Sequence, residues 1–131
     1  MYTSKIFLDT SFLLSLIRTE DQMHTRAREI CDNESDLIIS NFVFNEFVSF
    51  LHRKNGARIA YEEGVKILES DILIVDIRLE DLPEMLQMVK KYEKLSLCDA
   101  ASVKVMKELG ICQIISFDSD FDVVPGIQRI Y

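Results

Sequence analysis

The chain reads as one α/β domain built on a central, mostly parallel β-sheet of four to five strands with helices on both faces. Short apolar runs alternate with longer stretches of helical periodicity. Such an order of strands separated by helices produces a parallel sheet covered on both sides. No repeat, low-complexity tract or linker interrupts the pattern, and 131 residues suffice to bury one core.

The first strand is predicted over Ser4–Asp9, with Thr10 and Ser11 as a capping pair for a helix through Phe12–Arg18. A more polar helix follows over Gln22–Asp32. Leu37–Ile39 reads as the second strand, bounded by Asn33-Glu34-Ser35 and Ser40-Asn41. Val43, Phe47, Phe50 and Leu51 recur at helical spacing within Phe42–Arg53, and Gly56 suits a left-handed cap at that helix's end. Further helices are expected over Ala57–Glu69 and Leu79–Glu93, the latter with Pro83 in its first turn. Between them lies a third strand, Ile72–Val75. Ser96 opens a helix that runs to Leu109 and stops at Gly110. Gln113–Ser116 is the fourth strand, Phe117–Asp122 a loop, and Ile127–Ile130 a candidate edge strand.

Composition excludes several classes. No run approaches the eighteen or so apolar residues of a membrane span, and Asp9 interrupts the apolar N-terminal stretch. A signal peptide would also need a basic start and a small-residue cleavage site, so a cytoplasmic protein is expected. Cys31, Cys98 and Cys112 are odd in number and lack metal-site spacing, which points to buried free thiols. His24 and His52 are isolated and read as partly exposed helical residues. A net charge of −7 argues against a simple electrostatic nucleic-acid clamp. Two basic groups, Arg53/Lys54/Arg58 and Lys90/Lys91/Lys94, read as solvated helix surface.

In sheets of this kind ligands bind beyond the carboxyl ends of the strands. Four acids fall near such ends. Asp9 closes the first strand, where it either caps the next helix or faces a site. Glu46 shares a helical face with Val43 and Phe50, so burying it requires a partner. Asp99 stands three residues after Ser96, the spacing of a capping box, and a carboxylate pinned there can also reach a metal. Asp118 follows the fourth strand in Asp118-Ser119-Asp120-Phe121-Asp122. That run is not a calcium loop, since Val123 and Arg129 hold the positions that need glycine and glutamate. Carboxylates sharing one cleft repel each other, so at least one should have a raised pKa without metal.

Taken together, Leu8-Asp9-Thr10-Ser11, Asn45-Glu46, Leu97-Cys98-Asp99-Ala100-Ala101 and Ser116-Phe117-Asp118-Ser119-Asp120-Phe121 resemble the motifs of the PIN-domain ribonucleases, especially VapC-type toxins. The resemblance spans nearly the whole chain and implies a single PIN-like domain over residues 1–131. It implies that Asp9, Glu46, Asp99 and Asp118 bind Mg²⁺ or Mn²⁺ and cleave RNA, leaving a 5′-phosphate. Thr10 or Ser11, together with Ser116, fall where the family has supporting hydroxyls, and Asp120 is an auxiliary acid. An antitoxin partner and a homodimer are implied as well. Two other enzyme classes fit less well. A haloacid-dehalogenase-type phosphatase wants an aspartate where Ser11 stands, and a receiver domain wants a late lysine that is absent. A PIN-like module that binds RNA or protein without cleaving it remains the alternative from a different class.

Overall fold

A computed structural model describes residues 5–18, 22–33 and 36–131. Five strands form one sheet: β1 (Ile6–Leu8), β2 (Leu37–Ser40), β3 (Leu73–Val75), β4 (Gln113–Ile115) and β5 (Gln128–Ile130). Their order is β3-β2-β1-β4-β5 and every pairing is parallel. The last strand is therefore an edge strand, as expected. It is parallel to β4 because the segment 116–127 is long enough for a crossover. Six α-helices connect the strands: α1 (Thr10–Ile17), α2 (His24–Asn33), α3 (Asn41–Asn55), α4 (Ala57–Glu69), α5 (Leu82–Lys91) and α6 (Leu97–Leu109).

Successive side chains of a strand point to opposite faces. In β1, Ile6, Phe7 and Leu8 are all buried, so both faces of the sheet centre are covered. Phe7 lies between Ile38 on β2 and Ile114 on β4, which makes β1 the spine of the core. Phe12, Phe47, Leu51, Met85, Met106 and Phe121 bring the helices and the last loop onto it. Among the described residues no helix is long and apolar enough to cross a membrane.

Several boundaries differ from expectation. The proposed start of β1 at Ser4 and the Glu34-Ser35 turn lie outside the described residues. The helix expected over Leu79–Glu93 is split: Leu79–Asp81 is 3₁₀, and α5 begins at Leu82 with Pro83 in its first turn. Proline has no N–H to donate, so it fits only where no preceding turn needs that bond. The loop after β4 contains a 3₁₀ turn over Ser119–Val123, capped by the Asp118 side chain. None of the three cysteines is in a disulfide, but Cys112 is exposed and Cys31 and Cys98 only half-buried, because each sits at an element end or on a flank rather than on a core face. His24 is half-buried and His52 exposed.

Gly56 separates α3 from α4 with φ 92° and ψ 170°. The positive φ was expected, but the extended ψ is not that of a left-handed helical cap, which Gly110 provides after α6 with φ 70° and ψ 27°. A Cβ on residue 56 would meet no atom within 4 Å, so any penalty there comes from the backbone alone. Gly56→Ala should cost about 1–3 kcal/mol, since that conformation is nearly restricted to glycine. Gly110→Asn should cost less, since asparagine tolerates the left-handed helical region. Urea unfolding of the two variants beside wild type checks the order.

Candidate functional site

The chain leaves β1 at Asp9, which is only 5% exposed. Its backbone N–H donates to the Ile115 carbonyl at 3.1 Å, so the end of β1 is tied to the end of β4. Neighbouring strands β1 and β4 are reached by chain running in opposite directions along the sheet, and a crevice opens at that reversal. Asp9 occupies the N-cap position of α1, but its side chain makes no capping bond to the helix's second or third N–H. Instead Ser11 Oγ and Ser116 Oγ each donate to Asp9 Oδ2 at 2.8 Å.

The direction of those bonds follows from what else the hydroxyls do. Ser11 Oγ accepts from the Phe117 N–H at 3.2 Å, and Ser116 Oγ accepts from the Asp118 N–H at 3.0 Å. Each hydroxyl has one proton, and a backbone donor already fills one of its lone pairs. The proton is left for Asp9. Ser11 and Ser116 are thus the supporting hydroxyls, while buried Thr10 Oγ1 has no hydrogen-bond partner among the described residues.

The other acids arrive on separate elements. Ser40 caps α3 by accepting from the Val43 N–H at 3.2 Å, which fixes the helix directly after β2. Glu46 stands on its second turn. Here the expectation needs correction: Val43 is buried, but Glu46 is exposed. The helix turns Val43, Phe47 and Leu51 into the core, leaving Glu46, Phe50 and Arg53 along the adjoining flank. Asp99 completes a capping box, its Oδ2 accepting from the Ser96 N–H at 3.0 Å and its own N–H donating to Ser96 Oγ at 3.1 Å. Asp118 Oδ1 accepts from the Asp120 N–H at 2.9 Å.

One open cleft of about 460 Å³ is lined by Asp9, Glu46, Asp99, Asp118 and Asp120. Thr10 and Ser11 form part of its wall, and Ser116 lies behind Asp9. All eight residues named from the sequence thus meet at one place. Leu14, Phe50, Arg53 and Lys94 also line it. The two cations come from groups that the sequence reading left on the solvated surface. A somewhat larger cleft, of about 540 Å³, lies beside α1, α2, α3 and α4, and among the described residues Glu63 is its single carboxylate.

The electrostatics are those of uncompensated negative charge. Ion pairs elsewhere engage residues such as Asp36, Glu62, Asp81, Glu84, Glu108 and Asp122. Among the described residues none engages an acid of the cleft. Burial pushes the Asp9 carboxyl above its ordinary range and the charge of Glu46 adds to this, while bonds from Ser116, Ser11 and the Thr10 backbone oppose it. Burial, with the charges of Asp9 and Asp118, raises Asp99 from 3.8 to about 6, against bonds from Ser96. The Cys98 thiol is pushed up by burial and by the same carboxylates, so it is no thiolate nucleophile.

Hard oxygen donors, unpaired negative charge and an unpartnered buried hydroxyl in the cleft wall fit a divalent cation such as Mg²⁺ or Mn²⁺. Among the described residues no three acidic, histidine or cysteine side chains converge into a ready metal cage. A hydrated Mg²⁺ does not require one, since it keeps several waters and uses only a few carboxylates.

Comparison with known proteins identifies the family and the fold. The family model for the PIN domain matches residues 6–127. The 23S rRNA-specific endonuclease VapC20 of Mycobacterium tuberculosis is 31% identical over 127 residues, covering 94% of this chain and 96% of that protein. Ribonuclease VapC13 of the same organism is 26% identical over 80 residues, 61% of this chain and 59% of its own. The crystal structure of VapC20, described as a sarcin–ricin loop cleaving toxin, has a TM-score of 0.82 at 26% identity, covering 89% of this chain and 92% of that one. A toxin–antitoxin complex from Klebsiella pneumoniae has the same fold, with a TM-score of 0.69 at 18% identity over 94% and 95% of the two chains. The chain belongs to the PIN-domain family and, within it, to the VapC-type ribonuclease toxins of toxin–antitoxin systems.

Proposed function

We propose that this chain is a metal-dependent endoribonuclease that hydrolyses RNA phosphodiester bonds at Asp9, Glu46, Asp99 and Asp118. The observation that carries the reading is the single cleft at the β1/β4 reversal, where these acids meet and, among the described residues, form no ion pair. Ribosomal RNA is the first substrate to test, since a relative similar along its full length acts on 23S rRNA. The same reading includes an antitoxin whose arginine or lysine enters the acidic cleft to neutralise it. A homodimer, implied by the family, belongs to it too.

Mg²⁺ or Mn²⁺, when bound, supplies a more acidic water and neutralises charge developing on the scissile phosphate. The protein's own part is positional. Asp9 is immobilised by Ser11 and Ser116, so one carboxylate keeps a constant place relative to both central strands. Asp99 is held through one oxygen by the Ser96 N–H, which leaves the other for the cleft. Before metal binds, burial and the charges of Asp9 and Asp118 raise this carboxyl to about 6, so a divalent cation displaces a proton as it enters. Asp118 is held by the turn it caps, and Glu46 closes the rim from α3. Ser116, Asp120 and Ser11 act through these four rather than on substrate. The wide spacing of the carboxylates favours one alternative, a PIN-like module that binds RNA or protein without cutting; the cleavage assay separates the two.

Purified protein with Mn²⁺ should cleave ribosomal RNA, with activity lost in EDTA and lowered on the order of 10²-fold or more in Asp9→Asn. Retained cleavage in Asp9→Asn would remove Asp9 from the mechanism. Mn²⁺ should also raise the melting temperature of wild type and not that of Asp9→Asn.

The raised carboxyls set the pH dependence. Between pH 4 and about 6 the native protein holds a proton on Asp99 that the unfolded chain has already released. Stability of the metal-free protein therefore rises as pH falls from neutrality through 6, and Asp9 contributes in the same direction. Urea unfolding in EDTA should show greater stability at pH 5.5 than at 7.5, and Asp99→Asn should reduce the difference. Cleavage should run the opposite way, falling toward acid pH as protons compete with the metal for the carboxylates.

A further inference from the structure

Phe50 is placed where the fold gives it no work. The chain has eight phenylalanines, and among the described residues Phe50 alone lies outside both the core and the hydrophobic side chains packed against it. It is half-buried and lines the acidic cleft. On α3 it follows Glu46 by four residues and precedes Arg53 by three, so acid, aromatic ring and cation form one stripe along the cleft. The Arg53 guanidinium stands 6.0 Å from the ring centroid and that of Arg18 5.2 Å. Lys94, in the turn before α6, lines the same cleft and is exposed.

An aromatic ring in the wall of a groove, with cations beside it, has a specific use for nucleic acid. Every base has a π-face that stacks on such a ring, and guanidinium planes stack on bases as well. Phosphates need cations, and five carboxylates would otherwise repel the strand from this cleft. Arg53 and Lys94 are the cations that line the cleft and offset this repulsion, Arg53 beside the ring. A paired base inside an A-form helix is already stacked on its neighbours and cannot reach a half-buried ring.

We propose that Phe50, with Arg53 and Lys94, forms a subsite for one unpaired nucleotide of an RNA strand, its base stacked on the ring and its flanking phosphates on the two cations. This rests on the reading of the cleft as an RNA site and deepens it: the substrate is looped or single-stranded at the scissile position. Phe50 is then a specificity-determining residue, separate from the carboxylates that carry the chemistry.

The test is binding of a short purine-rich RNA strand carrying 2-aminopurine, with Ca²⁺ in place of Mn²⁺ and the strand confirmed intact afterwards. Stacking quenches the probe. Phe50→Ala should weaken binding about tenfold and abolish the quench, while Phe50→Tyr keeps both. Lys94→Gln should weaken binding and lower the slope of log Kd against log salt by roughly 0.7. The same strand in a duplex should bind at least about tenfold more weakly. In Mn²⁺ cleavage, Phe50→Ala should raise KM with kcat nearly unchanged. Wild-type affinity and quench in Phe50→Ala, or equal binding of duplex and single strand, would overturn the proposal. A wild type that cleaves RNA with no Phe50 effect removes the subsite and leaves the nuclease. Binding through Phe50 without cleavage supports the subsite and removes the nuclease.

Discussion

A carboxylate cannot be buried at the edge of a hydrophobic sheet without donors, and Asp9 is held in that position by two hydroxyls from opposite sides of the crevice. Ser11 comes from the first turn of α1 and Ser116 from the residue after β4. Both hydroxyls are oriented by backbone N–H groups of the 117–118 turn. The arrangement therefore couples the end of β1, the start of α1 and the loop that carries Asp118. The constraint is local in space and distant in sequence, and the site's geometry depends on it.

Around that anchor the fold accumulates negative charge that it neutralises elsewhere. Buried Lys104 on α6 is shared by Asp81, Glu84 and Glu108, and Arg129 on β5 pairs with Asp122 through two nitrogens. Arg129 also donates to the Ser116 carbonyl at 3.1 Å, so the loop that holds the site is braced from the edge strand. Among the described residues the cleft acids have no such partners. Burial raises the carboxyls of Asp9 and Asp99, and the neighbouring carboxylates add to it. An uncompensated acidic site inside a VapC-type toxin is energetically open to a metal ion or to a cationic side chain of an inhibitor. The same imbalance thus underlies both the catalysis and the inhibition proposed for this chain.

The cleft is not uniform. Its deep end is made by strand termini and holds Asp9, while its α3 wall carries an aromatic ring and a cation beyond the acid. Such polarity matches the tasks proposed for it: oxygen ligands where the phosphate would react, and stacking surface and positive charge where the strand would be gripped. Rigid elements hold the two ends, so neither needs a large rearrangement to meet the other.

The sequence by itself determined what depends on near neighbours. Helical periodicity and caps placed α4 over Ala57–Glu69, and the Ser96–Asp99 capping box is present because it needs only four consecutive residues. Asp9 could be read as the end of a buried strand from its own hexapeptide, and the family motifs pointed to its acidic companions. Residues alone did not decide whether Thr10 or Ser11 supports Asp9. That choice is made by Ser116 and the Phe117 N–H, more than a hundred positions away. Nor did they show that Glu46 is exposed, that Phe50 lies outside the core, or that Arg53 and Lys94 leave their surface groups to line one cleft. Those outcomes follow from strand order β3-β2-β1-β4-β5 and the rotation of α3 on the sheet. A linear sequence specifies which face of a helix is apolar, but only packing specifies what lies opposite its flank.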